Sequence, residues 1–415
     1  MSTALVIGSG IVGLSAAWHL LRRGWQVVVV DQSAIGSGAS YGNAGLVSIG
    51  HPPLTRPGLA LQGIKWMLDP TSPLYIQPRA SMALVRWLAT FHRNCTRTHL
   101  HHCMDVLCDM GWPARDCFEE LLAAEPIDCD YRRGGWLEVC LTKAGLERGR
   151  HEADAVRERG YHVELLERDA LLAREPAFRP AVAGAHWYAD SACCSPDAFM
   201  RGLARACVKR GAVLRAATGA RGFLVEGNRL RGAVTEDGHQ LEADAVVLAA
   251  GAWSTPIAAQ LGVAIPMEPA KGYHEDLEGV APAPTVGCVL AETFVAVTPM
   301  FGRLRLAGTL ELSGLNDRMV QRRLGMLRRG AERFLIGLDR ARRAAVWNGL
   351  RPCTPDGLPI AGLAPGFDNL YVATGGAMLG WTLGPLMGRL AAETLNGEAP
   401  RWDAAPLAPS RFARG

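Results

Sequence analysis

The sequence has no Cys-x-x-Cys pair, no apolar run long enough to span a bilayer, and little excess charge, since 44 basic against 40 acidic residues leave a formal net charge of +4. Its 11 cysteines are scattered and odd in number, so they read as reduced thiols, with the adjacent Cys193 and Cys194 buried as small hydrophobes. The missing apolar run excludes a transmembrane helix. The small charge, with no recognisable binding motif, argues against nucleic acid as a partner. The first strand is expected to begin by Thr3, so removal of a signal peptide would destroy the glycine motif that follows. The chain is therefore expected to start near Met1, in the cytoplasm.

What is present is a globular composition, 49% apolar and 20% charged, in 415 residues, enough for about two to three domains. Disorder is expected only in the Pro/Ala-rich tail from Ala399. The strongest signal is Val6-Ile7-Gly8-Ser9-Gly10-Ile11-Val12-Gly13, a short apolar strand running through Gly-x-Gly-x-x-Gly into the helical Leu14 to Gly24. Gly8 permits the tight turn, Gly10 the approach of backbone to a pyrophosphate, Gly13 close helix packing, and the helix N-terminus offers free N–H groups to phosphate. A second strand, Trp25 to Val30, ends in Asp31 and Gln32, where an acid can accept ribose hydroxyls.

A glycine-rich loop, Gly36 to Gly45, has exposed amides able to follow a flat polar ligand. Helical patterns around Met82–Phe91 and Asp105–Ala124 suggest an inserted domain. The buried run Ala245 to Gly251 and the strand and turn Asn369 to Gly376 return to the first sheet, followed by a helix from Leu383 to Leu395. Strand-like pieces between Pro266 and Leu310 and an Arg-rich helix near Asn316–Phe334 belong to the other domain. The expected fold class is α/β, with a discontinuous Rossmann-like dinucleotide domain (1–50, 191–265 and 346–415) and a mixed-sheet substrate domain (51–190 and 266–345).

Several spaced motifs carry a family resemblance: the Gly8–Gly13 cradle, Ala39-Ser40 with Asn43-Ala44-Gly45, Ile64-Lys65-Trp66-Met67, Pro269 to Tyr273, Gly349-Leu350-Arg351-Pro352 with Thr354-Pro355-Asp356-Gly357, and Leu379-Gly380-Trp381-Thr382. In this order the chain resembles the flavin-dependent D-amino acid oxidase superfamily, most closely the small-subunit type of bacterial D-amino acid dehydrogenase; glycine and sarcosine oxidases are more distant relatives. The resemblance implies FAD. It also implies cofactor contacts from the cradle, Asp31, Gln32, Ala39, Ser40, Asn43, Ala44, Gly45, Leu46, Ala220, Ala250, Gly251, Arg351, Gly375, Gly376, Leu379, Gly380, Trp381 and Thr382. The turn Gly375–Thr382 is expected to bring a helix N-terminus to the flavin's pyrimidine end, where it would stabilise the reduced form's negative charge.

In such enzymes the arginine of the Gly-Leu-Arg-Pro turn grips the substrate carboxylate, a role carried to Arg351 and one that a lysine's point charge cannot reproduce. Tyr273 stands where the family presents a tyrosine over the substrate. Gly376 departs from the histidine that those dehydrogenases show. The implied reaction is oxidative deamination of a small amino acid, a D-amino acid foremost, by hydride transfer from Cα, giving an imino acid that hydrolyses to a keto acid and ammonia. D-proline or D-hydroxyproline dehydrogenation and glycine or sarcosine oxidation are the alternatives within the family. The electron acceptor would be a quinone, the respiratory chain or an electron-transfer protein, with partner subunits and peripheral attachment to the inner face of the membrane as further expectations.

Other classes are weighed on specific residues. Gly38-Ala39-Ser40-Tyr41-Gly42 fits the nucleophile elbow of a serine hydrolase, although such an elbow needs a strand before the serine and a helix after it. His99, His101, His102 and Cys103 have the spacing of a metal cluster or of a polar helix face. The stretch Arg318, Arg322, Arg323, Arg328, Arg329, Arg333, Arg340, Arg342 and Arg343 fits either anionic lipid or a solvated face. Trp66, Met67, Leu68, Leu84, Val85, Trp87 and Leu88 fit either a membrane interface or core packing. A non-catalytic FAD-bearing subunit is the remaining alternative.

Overall fold

A computed structural model describes residues 1–58, 69 and 72–413. The valine-rich and alanine-rich runs form a six-stranded sheet in the order Val213–Arg215, Gln26–Val30, Thr3–Ile7, Ala245–Leu248, Leu370–Thr374, Ile360–Leu363. All neighbours are parallel except the last pair. Both faces are covered, as continuous apolar strands require. Val6, Val27, Val29 and Val247 pack on the side of the helices Ile11–Leu21 and Gly380–Leu395, while Leu5, Ile7, Val246 and Leu248 join a separate core on the other.

A nine-stranded mixed sheet forms the second layer. Its path is Arg342–Cys353, Glu268–Glu278, Arg303–Leu312, Val295–Met300, Gly287–Leu290, Trp136–Cys140, Gly184–Tyr188, Val163–Glu167, with Leu74–Ile76 added beside Arg303–Leu312. The edge strand Arg342–Cys353 pairs with Glu268–Glu278 from Glu268↔Cys353 to Glu278↔Arg342, so one continuous ladder crosses residue 346. The helix Gln321–Glu332 packs against this sheet, and Leu324, Leu327 and Ala331 enter its core.

The two helices expected after residue 80 run Met82–Asn94 and Arg97–Ala124. The second starts earlier than its apolar pattern because the Thr96 hydroxyl accepts from His99 N–H and caps it at 3.2 Å. Residues 220–242 form a small three-stranded antiparallel sheet. The tail corrects the expectation of disorder. Trp402 and Leu407 are buried, and the Arg411 guanidinium is held to Asp356 at 2.7 Å; these two apolar anchors and one ion pair fix a segment whose composition alone looked incapable of packing.

Candidate functional site

The strand Thr3–Ile7 leaves the sheet at Gly8, whose φ of +103° belongs to the left-handed region. A Cβ there would lie 2.4 Å from the Ala249 carbonyl oxygen, and one at Gly13 would lie 1.9 Å from the Gly8 carbonyl oxygen, so both positions admit only hydrogen. The turn therefore delivers the start of helix Ile11–Leu21 to the C-terminal edge of the parallel sheet, the place where open α/β sheets bind ligands. A cavity of about 620 Å³ opens there, lined by Ile7, Gly8, Gly10, Ile11, Val12, Asp31, Gln32, Ala39, Ser40, Asn43, Ala220, Ala250 and Gly251, and continuing to Arg351, Gly375, Gly376, Gly380 and Trp381.

The remaining expected cofactor residues lie behind this wall. Val6 is core, and Ser9 donates to Asp31 from N–H at 2.8 Å and from Oγ at 2.6 Å. Gly13 backs the turn. The Ala44 carbonyl accepts from Thr298, Gly45 N–H donates to Asn43 Oδ1, and Leu46 pairs with Cys193. Leu379 is the residue before helix Gly380–Leu395, and Thr382 Oγ1 accepts from Ser48 N–H at 3.0 Å. Asp31 also accepts from Ser33 N–H at 2.9 Å, so its carboxylate organises the turn at the cavity rim.

Arg351 stands at the other end. It lies in strand Arg342–Cys353 opposite Ala270, half-buried and facing the cavity, and burial pulls its pKa below the ordinary guanidinium value. Its Nη1 donates to the Thr309 carbonyl at 3.2 Å, and no carboxylate pairs with it among the described residues. A neutral carbonyl holds the side chain without cancelling its charge, so an anion entering the cavity meets a whole positive charge in a poorly solvated place. A Cβ at Gly376 would lie 2.4 Å from Gly380 Cα, so the packing of the helix start takes the space that a histidine would need.

Tyr273 is not part of this site. Successive residues of a strand point to opposite faces, and register sets Ala270, Gly272 and His274 opposite Arg351, Gly349 and Trp347, whereas Tyr273 is opposite Asn348. Its ring packs in the core under helix Gln321–Glu332, and its hydroxyl donates to Glu311 at 2.9 Å. Burial, then Glu311, pushes the hydroxyl's pKa far above its ordinary value.

The elbow reading of Ser40 fails on geometry. The residue lies among turns, and its Oγ accepts from Ile11 N–H at 2.9 Å, capping the first helix from a distant loop. His99 Nε2 bonds the Asp356 carbonyl at 2.7 Å while His101 and His102 are exposed, and no metal-holding group of three occurs among the described residues. Burial, then Asp356, pushes the Cys103 thiol up to about 12. Cys193 and Cys194 are buried, as expected.

The arginine stretch is divided. Arg323 is buried with its Nε 3.2 Å from Glu311, whereas Arg322, Arg329, Arg333 and Arg340 are exposed. Leu84 and Trp87 are core, with Trp87 Nε1 donating to the Cys353 carbonyl at 2.9 Å; Leu88 is half-buried and Val85 exposed. Ile64 to Leu68 lie outside the described residues. Among the described residues no helix is long and apolar enough to cross a membrane.

The cavity also contains residues that no motif announced. Trp253 and Gln260 follow the Ala250-Gly251 turn, Leu315, Asn316 and Asp317 come from an irregular loop, and Trp347 stands four places before Arg351. The periodicity of strand Arg342–Cys353, which places residues 347, 349 and 351 on one face, was the available signal for Trp347.

The family described as DAO, FAD dependent oxidoreductase, matches residues 3–394. The chain is 35% identical over 423 residues to D-amino acid dehydrogenase of Methylobacterium nodulans, covering 99% of each. It is 35% identical over 421 residues to the Agrobacterium fabrum protein of that name, covering 98% of this chain and 99% of the relative. The crystal structure of glycine oxidase from Geobacillus kaustophilus superposes with a TM-score of 0.76 at 23% identity, over 99% of this chain and 100% of that one, a likeness of fold.

Proposed function

The chain belongs to the DAO family of FAD-dependent oxidoreductases, and from that premise we propose that it oxidises the Cα–N bond of a small amino acid, a D-amino acid foremost, to an imino acid that water converts to a keto acid and ammonia. The observation that carries this reading is the unneutralised Arg351 guanidinium facing the cavity that begins at the dinucleotide cradle. The residues fit FAD: side chains are excluded at Gly8 and Gly13, the helix Ile11–Leu21 starts at the cavity, and Gly375, Gly376 and the helix start at Gly380 line its far end. When bound, FAD supplies the two-electron acceptor for the substrate.

Arg351 binds and orients the substrate carboxylate through parallel hydrogen bonds. Of the described lining residues near it, at 315–317, 347–352 and 376–381, only Arg351 and Asp317 have ionisable side chains. No side-chain base is assigned, and the amine reacts from its neutral form, which a poorly hydrated cavity favours.

The cofactor part is proposed as 1–50, 191–265 and 346–415 and the substrate part as 51–190 and 266–345, with strand Arg342–Cys353 carrying the boundary. A quinone, the respiratory chain or an electron-transfer protein is the proposed acceptor. Contact with the inner face of the membrane is proposed for the exposed Val85 and the exposed arginines near residues 318–343.

The test is anaerobic mixing of the flavin-loaded protein with D-amino acids, D-proline, D-hydroxyproline, glycine and N-methyl amino acids. Bleaching of the visible flavin band by one of these classes supports the reading and names the substrate. A protein that stays yellow with all of them is a non-catalytic flavin carrier.

A further inference from the structure

The loop Tyr41–Ala44 is held from below by the long sheet. Arg305, 1% exposed, donates through Nη1 to the carbonyls of Tyr41 at 3.4 Å and Asn43 at 3.1 Å, while its Nε and Nη2 are fixed on Asp276 at 2.7 and 3.0 Å. His274 Nδ1 lies 2.8 Å from the Gly42 carbonyl, and Thr298 Oγ1 donates to the Ala44 carbonyl at 2.6 Å. Four consecutive carbonyls are thus taken by side chains of two neighbouring strands and a third strand beside them. The Trp347 indole completes the platform: it stacks on His274 with ring centres 5.3 Å apart, and a Cβ at Gly42 would lie 2.1 Å from it.

A trans peptide points its C=O and the next N–H in opposite directions. Pulling the carbonyls of Gly42 and Asn43 down to the sheet therefore turns the N–H groups of Asn43 and Ala44 away from it. Neither N–H has an acceptor among the described residues, and Asn43 lines the cavity. The Arg305 grip is fixed by its remaining hydrogen bonds, which go to Asp276. Burial works against the Asp276 carboxyl, but the Arg305 fork holds it below the usual range, and burial, then Arg305, pulls the His274 ring down to about 4, leaving it a neutral donor. Arg303 ties the same Asp276, at 3.2 Å, to Asp197 at the start of helix Pro196–Lys209.

We infer that Arg305, His274 and Thr298 are positioning residues for the cofactor: by fixing the carbonyls of residues 41–44 they aim the Asn43 and Ala44 amides at the flavin ring and set how readily it takes electrons, without touching it. The inference rests on the proposed function above only in requiring FAD in the cavity.

The test uses the FAD-loaded protein and needs no substrate. Midpoint potential is measured by equilibration with reference dyes, and the visible circular dichroism of the bound flavin is recorded, for Thr298→Val, His274→Leu and Arg305→Met, with Thr298→Ser as the conservative rescue. The expected result is a more negative potential and a changed dichroic band in Thr298→Val and His274→Leu, with Thr298→Ser restored to the parent values. Because Arg305→Met removes a buried charge and leaves Asp276 unpaired, it is scored only on molecules that retain FAD, and the two milder variants decide. Lowered thermal stability with parental potential and dichroism in both would overturn the inference, since that is what a purely structural platform predicts. Parent protein that cannot be loaded with FAD would overturn the underlying functional reading instead.

Discussion

The parallel sheet carries no charged side chain except Arg215, at the tip of its outer strand, whereas two adjacent strands of the long sheet bury Lys271, His274, Glu275, Asp276, Arg305 and Glu311. Under the proposed function the first sheet binds through backbone: a turn without Cβ atoms, a helix start and strand ends. The second contributes through side chains that must be charged, paired and on the correct face. The two halves of one cavity therefore fail differently. Backbone recognition fails by crowding, in which case the ligand is lost entirely; side-chain recognition fails by degrees.

The largest expected effect follows from crowding. In Gly8→Ala the new methyl meets the Ala249 carbonyl oxygen at 2.4 Å in a backbone conformation that L-residues rarely adopt. Overpacking of this kind costs about 1–3 kcal/mol, and the shift that relieves it moves the helix start out of the cradle. The protein is expected to purify colourless, read as the ratio of visible to ultraviolet absorbance. Full flavin content would remove the contrast between the two sheets at its root.

Arg351 comes next. Arg351→Ala is expected to keep FAD but weaken carboxylate binding by about 2–5 kcal/mol, the cost of deleting a desolvated charged partner. Arg351→Lys recovers only part, because a lysine lacks the two-point grip. Spectral titration of the bound flavin with a carboxylate inhibitor checks both. Equal affinities in all three proteins would show that the long sheet does not recognise the substrate through this side chain.

The same division governs what could be read from the chain. The cradle was legible because backbone recognition leaves an imprint on residue type: only glycine satisfies Gly8 and Gly13, and Asp31 follows at the end of the next strand. Arg351 was legible through its motif, and its unpaired state through nothing but structure. The platform under residues 41–44 left no imprint, since His274, Thr298 and Arg305 lie 232, 254 and 262 residues from the carbonyls they hold and any of them reads alone as an ordinary surface residue. The tail failed for the same reason, its anchors Trp402, Leu407 and Arg411 being single residues in a stretch of proline and alanine.

Buried charge without a full set of partners gives the third effect. Glu138, in strand Trp136–Cys140 beside His186, has its carboxyl pushed up to about 7, by burial first and then by Glu152, with Arg56 opposing. The unfolded chain loses this proton near the ordinary 4.5, the folded protein only near 7, so between those values the unfolded state binds fewer protons and stability falls as pH rises. Glu138→Gln abolishes that component. Its melting temperature is expected to match the parent near pH 4.5 and to exceed it by a few degrees above pH 7.5. A pH-independent difference would mean that Glu138 does not titrate in this window.

The smallest effect tests face rather than charge. If strand parity places Tyr273 away from the cavity, Tyr273→Phe must leave the substrate affinity of the FAD-loaded protein and its rate of flavin reduction unaltered. The lost hydroxyl leaves Glu311 with Arg323 at 3.2 Å and Lys271 at 3.9 Å, so the acceptor is not orphaned, and the cost is a single buried hydrogen bond, about 1 kcal/mol. Chemical denaturation should register that loss while substrate titration does not. The opposite pattern, weakened substrate binding at undiminished stability, would require residue 273 to reach the cavity, and hence a one-residue slip of strand Glu268–Glu278 against its neighbours. Such a slip would also turn His274 away from the loop it holds and Asp276 away from Arg305, so this mild substitution probes the register on which the whole platform depends.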